Sequence, residues 1–138
     1  MSLFLLSSEP LDPAALRSSI QRPDAGALCI FEGWVRNNHQ GRAVLSLEYE
    51  AATELCQSEG DRLLADARGQ FDILDAVVVH RTGHLHVGDV AVWIGVASGH
   101  RDTAFAACRF LIEEIKVRLP IWKKEHYAQG DATWIGEE

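Results

Sequence analysis

Apolar and polar residues change their spacing along this chain in ways that mark off its elements. Asp12-Pro13 joins a favoured N-cap to a residue suited to the first helical position, and predicts a short helix through about Ile20. Gly26 to Val35 is rich in strand formers and runs into the polar turn Arg36-Asn-Asn-His-Gln-Gly41. Ala43 to Tyr49 then alternates apolar and polar residues, as the returning strand of a hairpin would. Thr53 to Ala67 carries Leu55, Cys56, Leu63, Leu64 and Ala67 at helical spacing. Ile73 to His80 and Val90 to Ala97 are apolar runs of strand length, with Gly88-Asp89 as a turn before the second.

The clearest helix follows. Phe105, Cys108, Ile112, Ile115 and Leu119 recur at three and four residues, predicting one apolar stripe. Asp102 is its expected N-cap, and Pro120 stops it by lacking an N–H and restricting Leu119. Arg109, Glu113 and Lys116 fall on another face. Past Pro120, Ile121 to Tyr127 is strand-like; alternation puts Lys123 and Glu125 on one face, Trp122 and Lys124 on the other. Ala132 to Ile135 is a weaker final strand. Helices and strands mixed in this order predict an α+β fold, and no linker or repeat divides residues 1–138, which read as a single domain.

Composition narrows the function classes. A hydrophobic fraction of 47% with 24% charged residues is that of an ordinary globular chain. No apolar run approaches a membrane span, and Met1-Ser-Leu-Phe-Leu-Leu lacks the basic segment of a secretory leader before Glu9. Cys29, Cys56 and Cys108 are odd in number and far apart, which points to reduced thiols and a cytoplasmic setting. The net charge of −7 argues against nucleic acid as a partner. That charge is uneven. His100 to Glu125 holds six Lys/Arg against four Asp/Glu, whereas the rest of the chain holds seven against sixteen. A local cationic site on an acidic body suits a small anion.

The three lysines, Lys116, Lys123 and Lys124, fall within nine residues, while ten arginines spread from Arg17 to Arg118. An amine differs from a guanidinium in being able to give up its proton when its surroundings demand it. The cluster therefore reads as amine chemistry or compact anion binding, or else as a solvated cationic patch. Lys116 and Lys123 bracket the Pro120 corner, one on a helix end and one on a strand, where both can be aimed at one pocket; Glu125 is placed to orient Lys123. Ser98-Gly-His-Arg-Asp102 follows a strand and opens a helix, which makes His100 and Arg101 candidate anion ligands at a helix N-terminus. Arg36 opens the polar loop after the first long strand. His80, His84 and His86 raise the question of a metal, and His84 and His86 share a strand face. No cysteine or carboxylate stands at a supporting spacing, so the pattern predicts no metal.

Three blocks of this chain together resemble the large, catalytic subunit of molybdopterin synthase: Phe31-Glu-Gly-Trp-Val-Arg-Asn37, Ser98-Gly-His-Arg-Asp102 and Lys116-Val-Arg-Leu-Pro-Ile-Trp-Lys-Lys-Glu125. Leu47-Glu-Tyr49, His80-Arg-Thr-Gly83 and Val87-Gly-Asp89 add support, and the likeness spans about Gly26 to Trp134. The last block is the specific one. The resemblance implies an α/β-hammerhead with an additional antiparallel β-sheet. It implies a homodimer within a 2+2 heterotetramer, each end binding a small ubiquitin-like subunit. Sulfur would pass from that subunit's Gly-Gly C-terminal thiocarboxylate to cyclic pyranopterin monophosphate, so no cofactor of the chain's own is called for.

Carried over residue by residue, the resemblance makes Lys116 and Lys123 catalytic. Arg36, His100, Arg101 and Lys124 join them in binding substrate. Phe31, Arg36, Ile112, Trp122 and Glu125 would line the pocket for the partner's tail. Related chains carry an arginine near the C-terminus that reaches the substrate; here Trp134-Ile-Gly-Glu-Glu138 is acidic. The rival function is a non-catalytic scaffold that binds a ubiquitin-like protein in the same groove.

Overall fold

A computed structural model describes residues 2–130 and 132–136. In chain order its elements are β1 (Leu3–Ser7), α1 (Pro13–Ile20), β2 (Ala27–Trp34), β3 (Asn38–His39), β4 (Arg42–Ala51) and α2 (Thr53–Gln70). They continue with β5 (Ile73–Arg81), β6 (Gly83–His86), β7 (Val90–Ser98), α3 (Arg101–Arg118), β8 (Ile121–Tyr127) and β9 (Thr133–Gly136). Glu137 and Glu138, the acidic end noted above, lie outside the described residues.

The strands form two sheets. One has the order β1-β5-β7-β2, with β1 parallel to β5 and the other pairs antiparallel. The other runs β3-β4-β8-β9, with β6 on the free edge of β4, and is antiparallel throughout. Helices α2 and α3 cover one face of the first sheet, and α1 covers the opposite face. This is an α+β architecture. Among the described residues no helix is long and apolar enough to cross a membrane.

Local sequence explains most of these elements. Asp12 caps α1 by accepting a hydrogen bond from the Ala15 amide at 3.2 Å, and Pro13 takes the first position. Strands β5 and β7 are buried almost end to end, as apolar runs sandwiched between helices must be. Gly60 lets α2 sit directly on β1, since a Cβ there would meet the Phe4 ring at 2.3 Å.

Four expectations are corrected. Strands β2 and β4 are not a hairpin: β2 pairs with β7 in the first sheet and β4 with β8 and β6 in the second. The turn between them is a crossing from sheet to sheet, and the short hairpin it contains is β3–β4. In α3 the buried stripe is Ala104, Ala107, Cys108, Leu111 and Ile115, and Phe105 is 60% exposed. Small residues at 104 and 107 let the helix approach the sheet, which rotates the larger Phe105 outward. Leu55 is likewise 57% exposed on α2, beside the buried Cys56. The α3 N-cap is His100, without a side-chain cap bond, and Asp102 belongs to the first turn.

Candidate active site

The corner at Pro120 fixes two amines. The Leu119 amide still donates to the Ile115 carbonyl at 3.2 Å, so helical bonding persists to the corner. The Pro120 carbonyl, unable to continue the helix, accepts from the Ala52 amide at 3.1 Å and ties the corner to the end of β4. Lys116 thus leaves the last turn of α3, while Lys123 leaves β8 on the face shared with Ile121 and Glu125. In the β4–β8 ladder Lys123 stands directly opposite Tyr49.

These groups surround a cavity of about 310 Å³ where the two sheets meet. Its lining takes Lys116, Ile112 and Ile115 from α3, and Lys123 from β8. Phe31, Gly33, Trp34 and Arg36 come from β2 and the residues after it, Tyr49 and His80 from β4 and β5, Ala91 and Val92 from β7. The β2 register shifts between Gly33 and Trp34, and Val35 then exchanges hydrogen bonds with the β6–β7 turn at 2.9 and 2.7 Å. That anchorage brings Arg36 to the rim. A Cβ at Gly33 would meet Val92 at 2.7 Å, so the glycine of the first motif keeps this wall open.

Electrostatics give the cavity its character. Arg36, Lys116 and Lys123 line it without a carboxylate beside them. Among the described residues none of the three has an ion-pair or hydrogen-bond partner. Three cations converging on apolar and aromatic walls attract an anion that carries a flat or apolar portion. At the back wall the His80 Nδ1–H donates to the Arg81 carbonyl at 2.8 Å, and its ring meets Tyr49 edge-on at 4.8 Å.

Of the residues expected in the site, Phe31, Arg36, Ile112, Lys116 and Lys123 come together here. Trp122 and Lys124 project from the other face of β8, and Lys124 lies over the Trp134 ring. Glu125 does not turn to Lys123: its carboxylate is 4% exposed, contacts His39 Nδ1 and accepts from the Tyr127 hydroxyl at 3.1 Å. His100 and Arg101 lie at the other end of α3. Lys116 lies fifteen positions along the helix from Arg101, about 22 Å. Gly33, Trp34, Tyr49, His80, Ala91, Val92 and Ile115 were missing from the expected lining. Gly33, Trp34, Tyr49 and His80 stand in stretches that carried or supported the resemblance, which was the available signal.

Residues 6–118 match the family described as MoaE protein. The chain belongs to the MoaE family. A MoaE relative, the molybdopterin synthase catalytic subunit of Thermoplasma volcanium, is 40% identical over 129 residues, covering 94% of either chain. Molybdopterin synthase from Staphylococcus aureus superposes with a TM-score of 0.88 at 33% identity, covering 95% of both chains. The complex of subunits 1 and 2 of molybdopterin-converting factor from Helicobacter pylori shares the fold, with a TM-score of 0.79 at 19% identity over 98% of this chain and 91% of that one. MoaE membership confirms the hammerhead-type α+β fold and assigns the chain to molybdenum cofactor biosynthesis.

Proposed function

We propose that this chain is the catalytic subunit of a molybdopterin synthase, moving sulfur from the C-terminal thiocarboxylate of a small ubiquitin-like subunit to cyclic pyranopterin monophosphate. The observation that carries the reading is the cavity itself, in which Lys116, Lys123 and Arg36 meet with no acidic neighbour. Both reactants are anions, and both have parts suited to the walls: a narrow glycine tail for the slot left by Gly33, a flat pterin for Phe31 and Trp34.

In this reading Lys116 stands at the thiocarboxylate carbonyl. The sulfur replaces an oxygen substituent on the pterin, water takes the acyl carbon and the tail departs as a carboxylate; the Lys116 amine stabilises the negative charge that develops on the carbonyl oxygen, or protonates the departing thiolate. Lys123 and Arg36 hold the pterin and its phosphate. Because Arg101 is about 22 Å from Lys116 along α3, His100 and Arg101 serve the cavity of the neighbouring protomer in a homodimer. Subunits 1 and 2 forming a complex in Helicobacter pylori supports a small partner for this chain as well. The working assembly is then two large and two small subunits.

The test mixes the purified chain with thiocarboxylated small subunit and cyclic pyranopterin monophosphate, and follows the pterin by mass spectrometry. Gain of two sulfurs, lost in Lys116→Ala with partner binding intact, is the expected result. Tight partner binding with an unchanged pterin, under conditions where another molybdopterin synthase turns over, makes the chain a scaffold instead.

A further inference from the structure

The second sheet has another face, turned away from the cavity, and three strands bring ionisable groups together on it. Leu47 and Tyr49 point inward on β4, so Ser46 and Glu48 point outward. Leu85 is the inward residue of β6, which leaves His84 and His86 outside, and on β8 the outward set is Trp122, Lys124 and His126. Pairing sets Glu48 opposite His84 on one side, while Ser46 stands between His86 and His126. Two imidazoles therefore lean over Glu48 from opposite sides. His126 Nε2 lies 3.0 Å from Glu48 Oε1, and His84 Nδ1 lies 3.9 Å from the same oxygen. The His84 ring is 6.0 Å from that of His126 and 5.0 Å from that of His86.

We propose that Glu48, His84 and His126 form a site for a divalent transition metal of the zinc type, with a fourth position left to water or His86. Two imidazole nitrogens and one carboxylate oxygen are a donor set that zinc accepts with an open position. The three donor atoms already lie within 4.8 Å of one another. Bonds of about 2.0–2.1 Å in tetrahedral array need donors roughly 3.3 Å apart, so the cluster must close by roughly 1.5 Å. Its side chains have the freedom for this: His84 is 48% exposed, Glu48 40% and His126 33%. An ordinary surface ion pair needs one imidazole on a carboxylate; here two converge on one oxygen. Lys124, opposite Glu48 in the ladder, opposes a cation, but its ammonium is drawn aside to 5.5 Å over the Trp134 ring.

A bound ion would tie β4, β6 and β8 to one another. Tyr49 and Lys123 sit on two of those strands, facing the cavity on the other side of the sheet. The site is independent of the sulfur chemistry and is tested without it.

The full chain, free of any histidine tag, is titrated with Co2+ and then Zn2+. The expected result is one Co2+ per chain with the visible bands of four-coordinate cobalt, displaced by Zn2+, and a melting temperature that rises with metal. His84→Ala and His126→Ala should each weaken binding on the order of 100-fold or more, and Glu48→Gln on the order of 10-fold or more, the metal-free melting temperature of His84→Ala being unchanged. His84 is the most exposed of the three, so its variant leaves the fold intact even if His126→Ala does not. Absence of saturable binding in the sub-millimolar range overturns the proposal. So does binding that survives in the His84→Ala/His126→Ala double variant, or cobalt bands of thiolate ligation, which would assign the ion to Cys29.

Discussion

In the first sheet β5 and β7 are buried along nearly their whole length, with α2 and α3 on one side and α1 on the other. In the second sheet β4 and β8 alternate between buried and accessible residues, and Lys123, Glu125 and the imidazole–carboxylate cluster stand on them or on β6. Strands covered on both faces have few exposed positions to give to chemistry, so β5 and β7 lend the cavity wall residues such as His80, Ala91 and Val92 and spend the rest of their sequence on packing. A sheet covered on one face offers two chemically distinct surfaces for the same backbone. Here one surface faces the cationic cavity and the other carries the imidazole–carboxylate cluster. Substitutions in the two sheets should therefore fail in different ways, and that difference is measurable.

The largest expected effect is on the chemical side. Lys116→Ala should lower the rate of sulfur transfer by about 10²–10⁴-fold, the range for losing a positioned acid–base or electrostatic group. Its thermal stability should hardly change, because Lys116 is exposed at a helix end. Lys116→Arg keeps the charge but not the amine, so equal loss in both variants assigns Lys116 to proton transfer, while recovery in the arginine variant assigns it to charge. The converse substitution is Trp93→Ala in β7. Trp93 is fully buried against Ile20, Val77, Val79 and Ala97, and its removal should cost about 3–5 kcal/mol. The readout is a melting temperature lowered by on the order of 10 °C. A Trp93→Ala protein of normal stability, or a Lys116→Ala protein that melts early, would break the division between packing positions and chemical ones.

The same division governed what could be read from the sequence. Long buried strands announce themselves by composition, and β5 and β7 were legible as apolar runs. Strand pairing was not: β2 and β4 flank a polar turn as hairpin strands do, and only tertiary packing sends them to different sheets. In α3 periodicity found the helix but chose Phe105 over Ala104 and Ala107 for the buried face, because size is a poor guide where two backbones approach closely. The lysines at the Pro120 corner were legible since both lie next to one local break. Tyr49, His80 and Gly33 reach the cavity by long-range pairing, and of these only motif likeness gave a sign. The Glu48–His84–His126 cluster was invisible for the same reason, its carboxylate and third donor coming from strands distant in sequence.

A smaller effect probes the seam between the packed and chemical roles inside the second sheet. Glu125 is a buried carboxylate that His39 and Tyr127 satisfy from β3 and from its own strand. His39→Ala leaves that charge with the tyrosine hydroxyl alone, and should cost about 1–3 kcal/mol. Glu125→Gln removes the charge together with the need for its partner, so it should cost less than His39→Ala. The double variant should then be no worse than His39→Ala by itself, a non-additivity that denaturant unfolding resolves. Additive losses would mean that the two residues do not act as a pair.

The smallest effect separates the sheets by pH. Burial pushes the Cys56 thiol up to about 11 and the Cys108 thiol to about 12, the latter aided by its contact with Cys29. Both belong to helices packed on the first sheet. A raised thiol pKa means that the native state keeps a proton which the unfolded chain, with its ordinary value of 9.0, gives up. Stability is therefore unaffected below about pH 9 and falls as pH rises toward 11 and 12, since the unfolded state then binds fewer protons. Tyr127 in the second sheet shifts in the same direction, through desolvation first and then the Glu125 carboxylate, and contributes with the same sign. It is the more accessible group, so solvent screens its contribution. Melting curves between pH 8 and the alkaline limit should thus flatten more in Cys56→Ala than in Tyr127→Phe. A slope that follows Tyr127 and ignores the cysteine would place the alkaline weak point in the chemical sheet, against the division drawn from the other variants.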